Sequence, residues 1–196
     1  NSTTNSGITL SGTSVNPAGL ITNSGTGSGS VLISGAIGTS VTNVTENSST
    51  SALVLSSASN AYTGTTVITA GTLKLGAAGV IPDGSAVTIT GTLDLAGYSE
   101  TVGSIAGAGT ITSSATGTPV LTVGGANTST SFTGVIQNGS ATSVGLVKTG
   151  SGTLTIGGSS NSTYTGGTTI KAGTVQIATN SAALGTGGVT LGDTSG

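Results

Sequence analysis

The sequence of 196 residues contains no cysteine, histidine, methionine or tryptophan. It has no arginine either, because its three basic residues are Lys74, Lys148 and Lys171. Without cysteine the chain can hold neither a disulfide framework nor a thiolate metal site. Without histidine and arginine, a catalytic centre would lack its commonest general base and its bidentate clamp for carboxylate or phosphate. Three lysines cannot build the dense positive patch that phosphate neutralisation requires, which argues against nucleic acid or an anionic membrane surface as a partner. No apolar run approaches the ~20 residues that cross a bilayer as a helix, and Asn1 to Thr4 carry neither a charged nor an apolar leader segment.

Charge is scarce as well: 4% of residues are charged and the net charge is −2, against a usual charged fraction of ~25%. Disorder needs high net charge with low hydrophobicity, and here the mean hydropathy is positive, so a folded chain is expected. What is present is a strand vocabulary. Val, Ile, Leu and Thr suit a pleated, half-buried surface, while 36 glycines with many Asn and Ser supply turns. Strong helix formers are few, so the expected fold is all-β with almost no helix.

Two periods organise the chain. Tyr62-Thr63-Gly64-Thr65-Thr66-Val67-Ile68-Thr69-Ala70-Gly71-Thr72-Leu73 returns as Tyr164-Thr165-Gly166-Gly167-Thr168-Thr169-Ile170-Lys171-Ala172-Gly173-Thr174-Val175, and Val87-Thr88-Ile89 falls on Val189-Thr190-Leu191 without a gap. The chain therefore holds about two copies of a module of roughly one hundred residues. Within the module, Val67-Ile68-Thr69-Ala70-Gly71-Thr72-Leu73-Lys74-Leu75 recurs as Val87-Thr88-Ile89-Thr90-Gly91-Thr92-Leu93-Asp94-Leu95. A period near 20 with two or three short strands predicts a parallel β-helix whose turns hydrogen-bond to those above and below. Such a period gives about ten turns and a rod on the order of 50 Å long. Alternation places Leu73, Leu75, Leu93 and Leu95 inside. It sends Lys74 and Asp94 to solvent one turn apart, as an exposed ion pair of roughly 0–1 kcal/mol. With no composition shift along it, the chain reads as one continuous solenoid over residues 1–196, a piece of a longer chain or a subunit that stacks end to end.

The stretches Gly152-Thr153-Leu154-Thr155-Ile156-Gly157-Gly158 and Tyr164 to Val175 closely resemble the passenger-associated transport repeat of bacterial autotransporters, and the copy around Tyr62 to Leu75 is nearly as similar. Phe132-Thr133-Gly134-Val135-Ile136 looks like a further fragment of such repeats. The resemblance implies a right-handed parallel β-helix exported across the outer membrane of a Gram-negative-type bacterium and displayed outside the cell. It also implies that the repeats are scaffold and export-assisting elements with no catalytic residues attached. The signal peptide and the C-terminal barrel of an autotransporter are not within this sequence.

Parallel β-helices also host polysaccharide-active enzymes, so the acids need placing. Asp94 is expected on a solvent-facing strand, Asp83 in the turn Pro82-Asp83-Gly84, and Glu46, Glu100 and Asp193 in loops. Nothing in that distribution sets two carboxyls across a sugar-sized gap. No catalytic, cofactor-binding or metal-binding residue is assigned, and no cofactor is expected. The calcium-binding glycine-aspartate nonapeptide is missing too.

Tyr62, Tyr164 and Phe132 read as corner packing in preference to a sugar-stacking row. Thr65-Thr66-Val67, Thr88-Ile89-Thr90 and Thr110-Ile111-Thr112 would suit an ice-binding face only if threonines repeated in register, and Thr88 and Thr90 are expected to meet Ile68 and Ala70. Asn-x-Ser/Thr triplets lie at Asn43, Asn47, Asn127, Asn138 and Asn161. The expected function is a non-catalytic structural solenoid, a shaft, stalk or filament on the outer cell surface. An adhesin passenger that binds a glycan or a cell-surface partner is the alternative. Self-association end to end, or continuation of the same polypeptide, is the expected partnership.

Overall fold

The computed structural model describes residues 7–192. Among them are twenty short strands and no helix, and every strand pair is parallel. The chain winds as a β-solenoid of about eight turns with three faces. Its turns begin β1 (Ile8–Leu10), β2 (Gly19–Asn23); β3 (Val31–Ile33), β4 (Val41–Asn47); β5 (Leu53–Leu55), β6 (Thr66–Ala70); and β7 (Thr72–Leu75), β8 (Ala86–Ile89). From there each turn gains a third strand: β9 (Thr92–Asp94), β10 (Glu100–Val102), β11 (Ser104–Ala106); β12 (Thr110–Thr112), β13 (Val120–Val123), β14 (Thr130–Phe132); and β15 (Val135–Ile136), β16 (Gly145–Lys148), β17 (Thr153–Ile156). The last strands are β18 (Thr168–Ile170), β19 (Thr174–Ile177) and β20 (Val189–Leu191).

Face 1 stacks β1-β3-β5-β7-β9-β12-β15 and face 2 stacks β10-β13-β16-β18-β20. Face 3 stacks β2-β4-β6-β8-β11 and passes through the Gly107–Phe132 bridge to β14-β17-β19. The turns are longer than a uniform twenty residues in most of the chain. Ile8 pairs with Val31, Val31 with Leu53 and Ile111 with Ile136, whereas Leu53, Leu73 and Leu93 keep the twenty-residue step. The winding therefore makes about eight turns in place of the expected ten, and at ~4.8 Å per turn it is about 38 Å long.

Leucine and isoleucine alternate inward and stack from turn to turn. On face 1 the buried column Leu53, Leu73, Leu93, Ile111, Ile136 runs through five turns, with Ile33, Leu55 and Leu75 beside it. Each buried leucine contributes about 1.5–3 kcal/mol relative to exposure, but only when the turns above and below supply the packing surface. The glycine of the Ala-Gly-Thr element has a definite task. Gly71 (φ +66) and Gly173 (φ +73) lie where the chain turns between faces, and a Cβ there would meet the carbonyl oxygens of Ser48 and Gly150.

The two copies of the long module do not lie on the same faces. In the first, β5, β6 and β7 lie on faces 1, 3 and 1; in the second, β17, β18 and β19 lie on faces 3, 2 and 3. Equivalent positions are thus four turns and two further faces apart, and the second copy is rotated by one face about the axis. The cause is arithmetic: turns longer than twenty residues do not divide the spacing between Tyr62 and Tyr164 into a whole number.

Candidate functional site

The inward columns also contain polar residues, and these are the chemically distinctive groups of the molecule. Glu46, Glu100, Lys148 and Thr168 are all buried and point into the bore. Two of these correct the sequence reading, since Glu46 lies in β4 and Glu100 in β10, where loops were expected. Alternation decides it: Glu46 stands beneath Ile68 in one inward column, and Glu100 stands beneath Leu121 in another.

Each carboxylate oxygen of Glu46 has its own donor. Its Oε2 accepts the Asn23 Nδ2 hydrogen at 2.8 Å and its Oε1 accepts the Ser48 amide at 2.7 Å. Asn23 donates onward to the Ser51 carbonyl at 3.2 Å, and Ser51 Oγ donates to the Gly29 carbonyl at 2.7 Å. Burial pushes the Glu46 carboxyl above the usual carboxylate range against these donors.

Glu100 closes a column of side-chain rungs on face 2, where the early turns lack a strand. Val15 and Ile37 form a single backbone bridge. The Ile37 amide then donates to Asn60 Oδ1 at 2.8 Å, Asn60 Nδ2 donates to the Val80 carbonyl at 2.8 Å, and the Val80 amide donates to Glu100 Oε2 at 2.9 Å. From Glu100 onward the regular ladder of face 2 begins. Asn60 and Glu100 thus replace missing main-chain rungs and give partners to the Ile37 amide and to the Val80 amide and carbonyl. Burial is the main cause that raises Glu100 to about 7; the Val80, Thr101 and Ile81 amides oppose it, and the Asp83 charge adds to it.

Lys148 is 1% exposed and its Nζ donates to the carbonyls of Thr149 (2.5 Å), Gly150 (2.9 Å) and Ala172 (3.3 Å). Burial lowers its pKa. The ammonium neutralises three carbonyl dipoles at a corner between adjacent turns.

The tyrosines pack at corners as expected. Tyr62 and Tyr164 are 2% and 0% exposed, and their hydroxyls pair with Thr66 Oγ1 (2.7 Å) and Thr168 Oγ1 (2.5 Å). Burial raises both tyrosines above their ordinary value. Phe132 is also fully buried, so none of the three offers a ring face to a sugar.

Asp94 differs from its expected solvent-facing place. It pairs with Lys74 across one turn, Nζ to Oδ2 at 3.8 Å, but its side chain is 7% exposed while that of Lys74 is 41% exposed. The reason is local capping: Asp94 Oδ1 accepts the amides of Ala96 (2.9 Å) and Ser114 (2.7 Å). Asp83 occupies the expected turn, closed by the Ser85 amide on the Pro82 carbonyl at 2.8 Å. Asp193 lies outside the described residues. Glu46 and Asp83 lie on separate turns, Asp94 and Glu100 share a turn but lie on faces 1 and 2, and among the described residues no three acidic side chains converge on one point.

Thr88 pairs with Val67, one position away from the expected Ile68, and Thr66 points inward. Of the Asn-x-Ser/Thr asparagines, Asn43, Asn127 and Asn138 spend their side-chain oxygens on the amides of Thr65, Ser151 and Val144. Asn161 accepts from Asn180 Nδ2 at 2.8 Å, and Asn47 is exposed. Sequence reading missed Asn23, Asn60 and Lys148 as structural groups. The signal was their spacing of one turn from Glu46, Val80 and Ile170.

Comparison with known proteins agrees with this architecture. A family model described as Passenger-associated-transport-repeat matches residues 48–75 and 146–177. The matched stretches coincide with the two copies on their rotated faces, from the turn before β5 through β7 and from within β16 through β19. No curated protein and no solved structure is similar enough to register.

Proposed function

We propose that this chain, a β-solenoid carrying two passenger-associated transport repeats, is a non-catalytic shaft segment of an exported passenger on the outer surface of a Gram-negative-type bacterium. The observation that carries this is the hydrogen-bonded stacking on face 3, which runs from β2 to β19 with the Gly107–Phe132 bridge as its link. Length and stiffness come from main-chain rungs closed within the chain, so mechanical load falls on many bonds in parallel and no single side chain has to bear it. The buried ionisable groups fit the same reading: each is spent on amides or carbonyls of its own and neighbouring turns, and a carboxyl at 1% or 2% exposure has no access to a substrate.

The described residues read as one continuous solenoid segment, wound right-handed as parallel crossovers nearly always are. Ile8, Leu10 and Leu20 near one end of the described coil, and Ile177, Val189 and Leu191 near the other, are exposed. That pattern suits continuation by further turns of the same polypeptide or by another copy stacked end to end. Immunogold electron microscopy on the native bacterium tests the proposal. Label on slender surface projections is the expected result. Label confined to the cell interior, or polysaccharide cleavage abolished by Glu100→Gln, would overturn it.

A further inference from the structure

Asn138-Gly139 is the only Asn-Gly dipeptide in the sequence, and the fold calls for both residues. They sit at the corner between β15 on face 1 and β16 on face 2. Gly139 has a left-handed backbone (φ +60), and a Cβ there would run into the Ser113 carbonyl oxygen of the turn below. The Ser140 amide donates to that same oxygen at 2.7 Å. Asn138 ties two further segments together. Its Oδ1 accepts the amides of Val144 at 2.9 Å and of Thr165, one turn on, at 3.1 Å. Its Nδ2 donates to Thr165 Oγ1 at 2.9 Å and, at 3.5 Å, to the Thr142 carbonyl. Thr165 follows the buried Tyr164 of the second transport repeat, so Asn138 clamps that corner to the turn beneath it.

The same two residues are chemically labile together. Glycine has no side chain to shield its nitrogen. On losing its proton, the Gly139 nitrogen can bond to Asn138 Cγ and close a five-membered imide. The Cγ–Nδ2 bond breaks and the nitrogen departs as ammonia. Water then adds across one of the two imide C–N bonds and leaves aspartate or its isomer isoaspartate, in which the main chain runs through the former side chain. One water enters, one ammonia leaves, and nothing is oxidised or reduced.

We propose that Asn138-Gly139 is a deamidation site gated by the winding, closed while Thr165 is seated on Asn138 and open when the turn carrying Thr165 lifts away. Turning Cγ onto the Gly139 nitrogen takes the amide off Val144 and Thr165, and those hydrogen bonds hold it back. Asn43 is an internal comparison. Its Oδ1 likewise accepts a threonine amide one turn on, that of Thr65 at 2.8 Å, but the next residue is Val44, whose branched side chain crowds its nitrogen and whose amide is bonded to the Thr65 carbonyl at 3.1 Å. Conversion at Asn138 is one-way. Aspartate sets an oxygen in place of Nδ2 against the Thr142 carbonyl, and isoaspartate adds a methylene to the main chain that moves Gly139 off Ser113. The second repeat then loses its clamp while the first keeps its own.

Peptide mapping by mass spectrometry of the 196-residue chain held in mildly alkaline buffer, with and without urea, reads the site, and methylation by an isoaspartyl methyltransferase counts the isomer. Conversion at Asn138 should be at least about tenfold slower in the folded chain than in urea, because it waits on local opening. Asn43 should stay unconverted over the same interval. Thr165→Val removes the hydroxyl partner of Nδ2 and should speed conversion of the folded chain several-fold, whereas Thr63→Val, at the matching place in the first repeat, should leave it unchanged. Circular dichroism verifies the fold of each variant; if Thr165→Val is unfolded, the wild type with and without urea decides alone. Equal rates with and without urea, a folded Thr165→Val chain no faster than the wild type, equal acceleration in Thr63→Val, or conversion of Asn43 in step with Asn138 overturns the proposal.

Discussion

Glu100 gives the sharpest quantitative expectation, because two opposing effects meet on one carboxyl. Burial at 2% exposure and the nearby Asp83 charge disfavour the carboxylate, while the Val80, Ile81 and Thr101 amides favour it. Burial prevails and lifts the pKa from 4.5 to about 7. A carboxyl whose folded pKa exceeds its unfolded one contributes most stability when protonated. Stability is therefore highest below pH 4.5, falls as pH rises from 4.5 to about 7, and is level for this group above that. At about 1.4 kcal/mol per tenfold change, the loss across the window is about 3 kcal/mol. The assay is urea unfolding of the wild type and Glu100→Gln at several pH values between 4.5 and 8.5. Subtracting the two curves cancels the contributions of Glu46, shifted upward by burial, and of Lys148, shifted downward. The wild type should lose about 3 kcal/mol more than the variant over the window. Parallel curves, or a wild type that gains stability as pH rises, would show that the amide donors outweigh burial and would refute the reasoning.

Further expectations concern the packing and the turns. Leu73→Ala opens a cavity in the face 1 column and should cost about 2–5 kcal/mol in denaturant unfolding. Gly71→Ala and Gly79→Ala share a left-handed backbone (φ +66 and +65), but only at Gly71 would the new Cβ meet a carbonyl oxygen, that of Ser48. The Gly79 variant should lose about 1 kcal/mol and the Gly71 variant clearly more in the same measurement. Asn60→Ala leaves the Ile37 amide and the Val80 carbonyl unpaired; a loss of about 2–4 kcal/mol is expected, together with faster hydrogen exchange at Ile37 but not at Leu93.

The leucine columns of face 1 were legible in sequence, because alternation and a twenty-residue step coincide between β5 and β9, and the same step set Lys74 beside Asp94 correctly. The reading failed where turn length changes. One residue more in the turn before β8 moves Thr88 from Ile68 to Val67, and longer turns elsewhere rotate the second repeat to other faces. The acids illustrate a different limit. Val-Thr-Glu-Asn resembles a polar loop until the neighbouring turn supplies Asn23 as a donor to Glu46, a partner distant in sequence that joins the local Ser48 amide. Asp94 kept its register yet turned toward the Ala96 and Ser114 amides, a local capping preference that alternation alone does not encode. The tyrosine corners were readable because Tyr62 and Tyr164 each carry a threonine four residues later that meets the hydroxyl.

The rotated winding of the two repeats is tested most directly by cysteine pairs, which the cysteine-free chain makes unambiguous. A uniform twenty-residue turn would set Val135 beside Thr155, whereas the observed winding sets Ser131 there. Adjacent outward residues on parallel strands lie within disulfide reach. Ser131→Cys with Thr155→Cys should oxidise to an intramolecular disulfide in the folded chain, and Val135→Cys with Thr155→Cys should remain reduced. Disulfide formation in the second pair and not the first would contradict the winding described here.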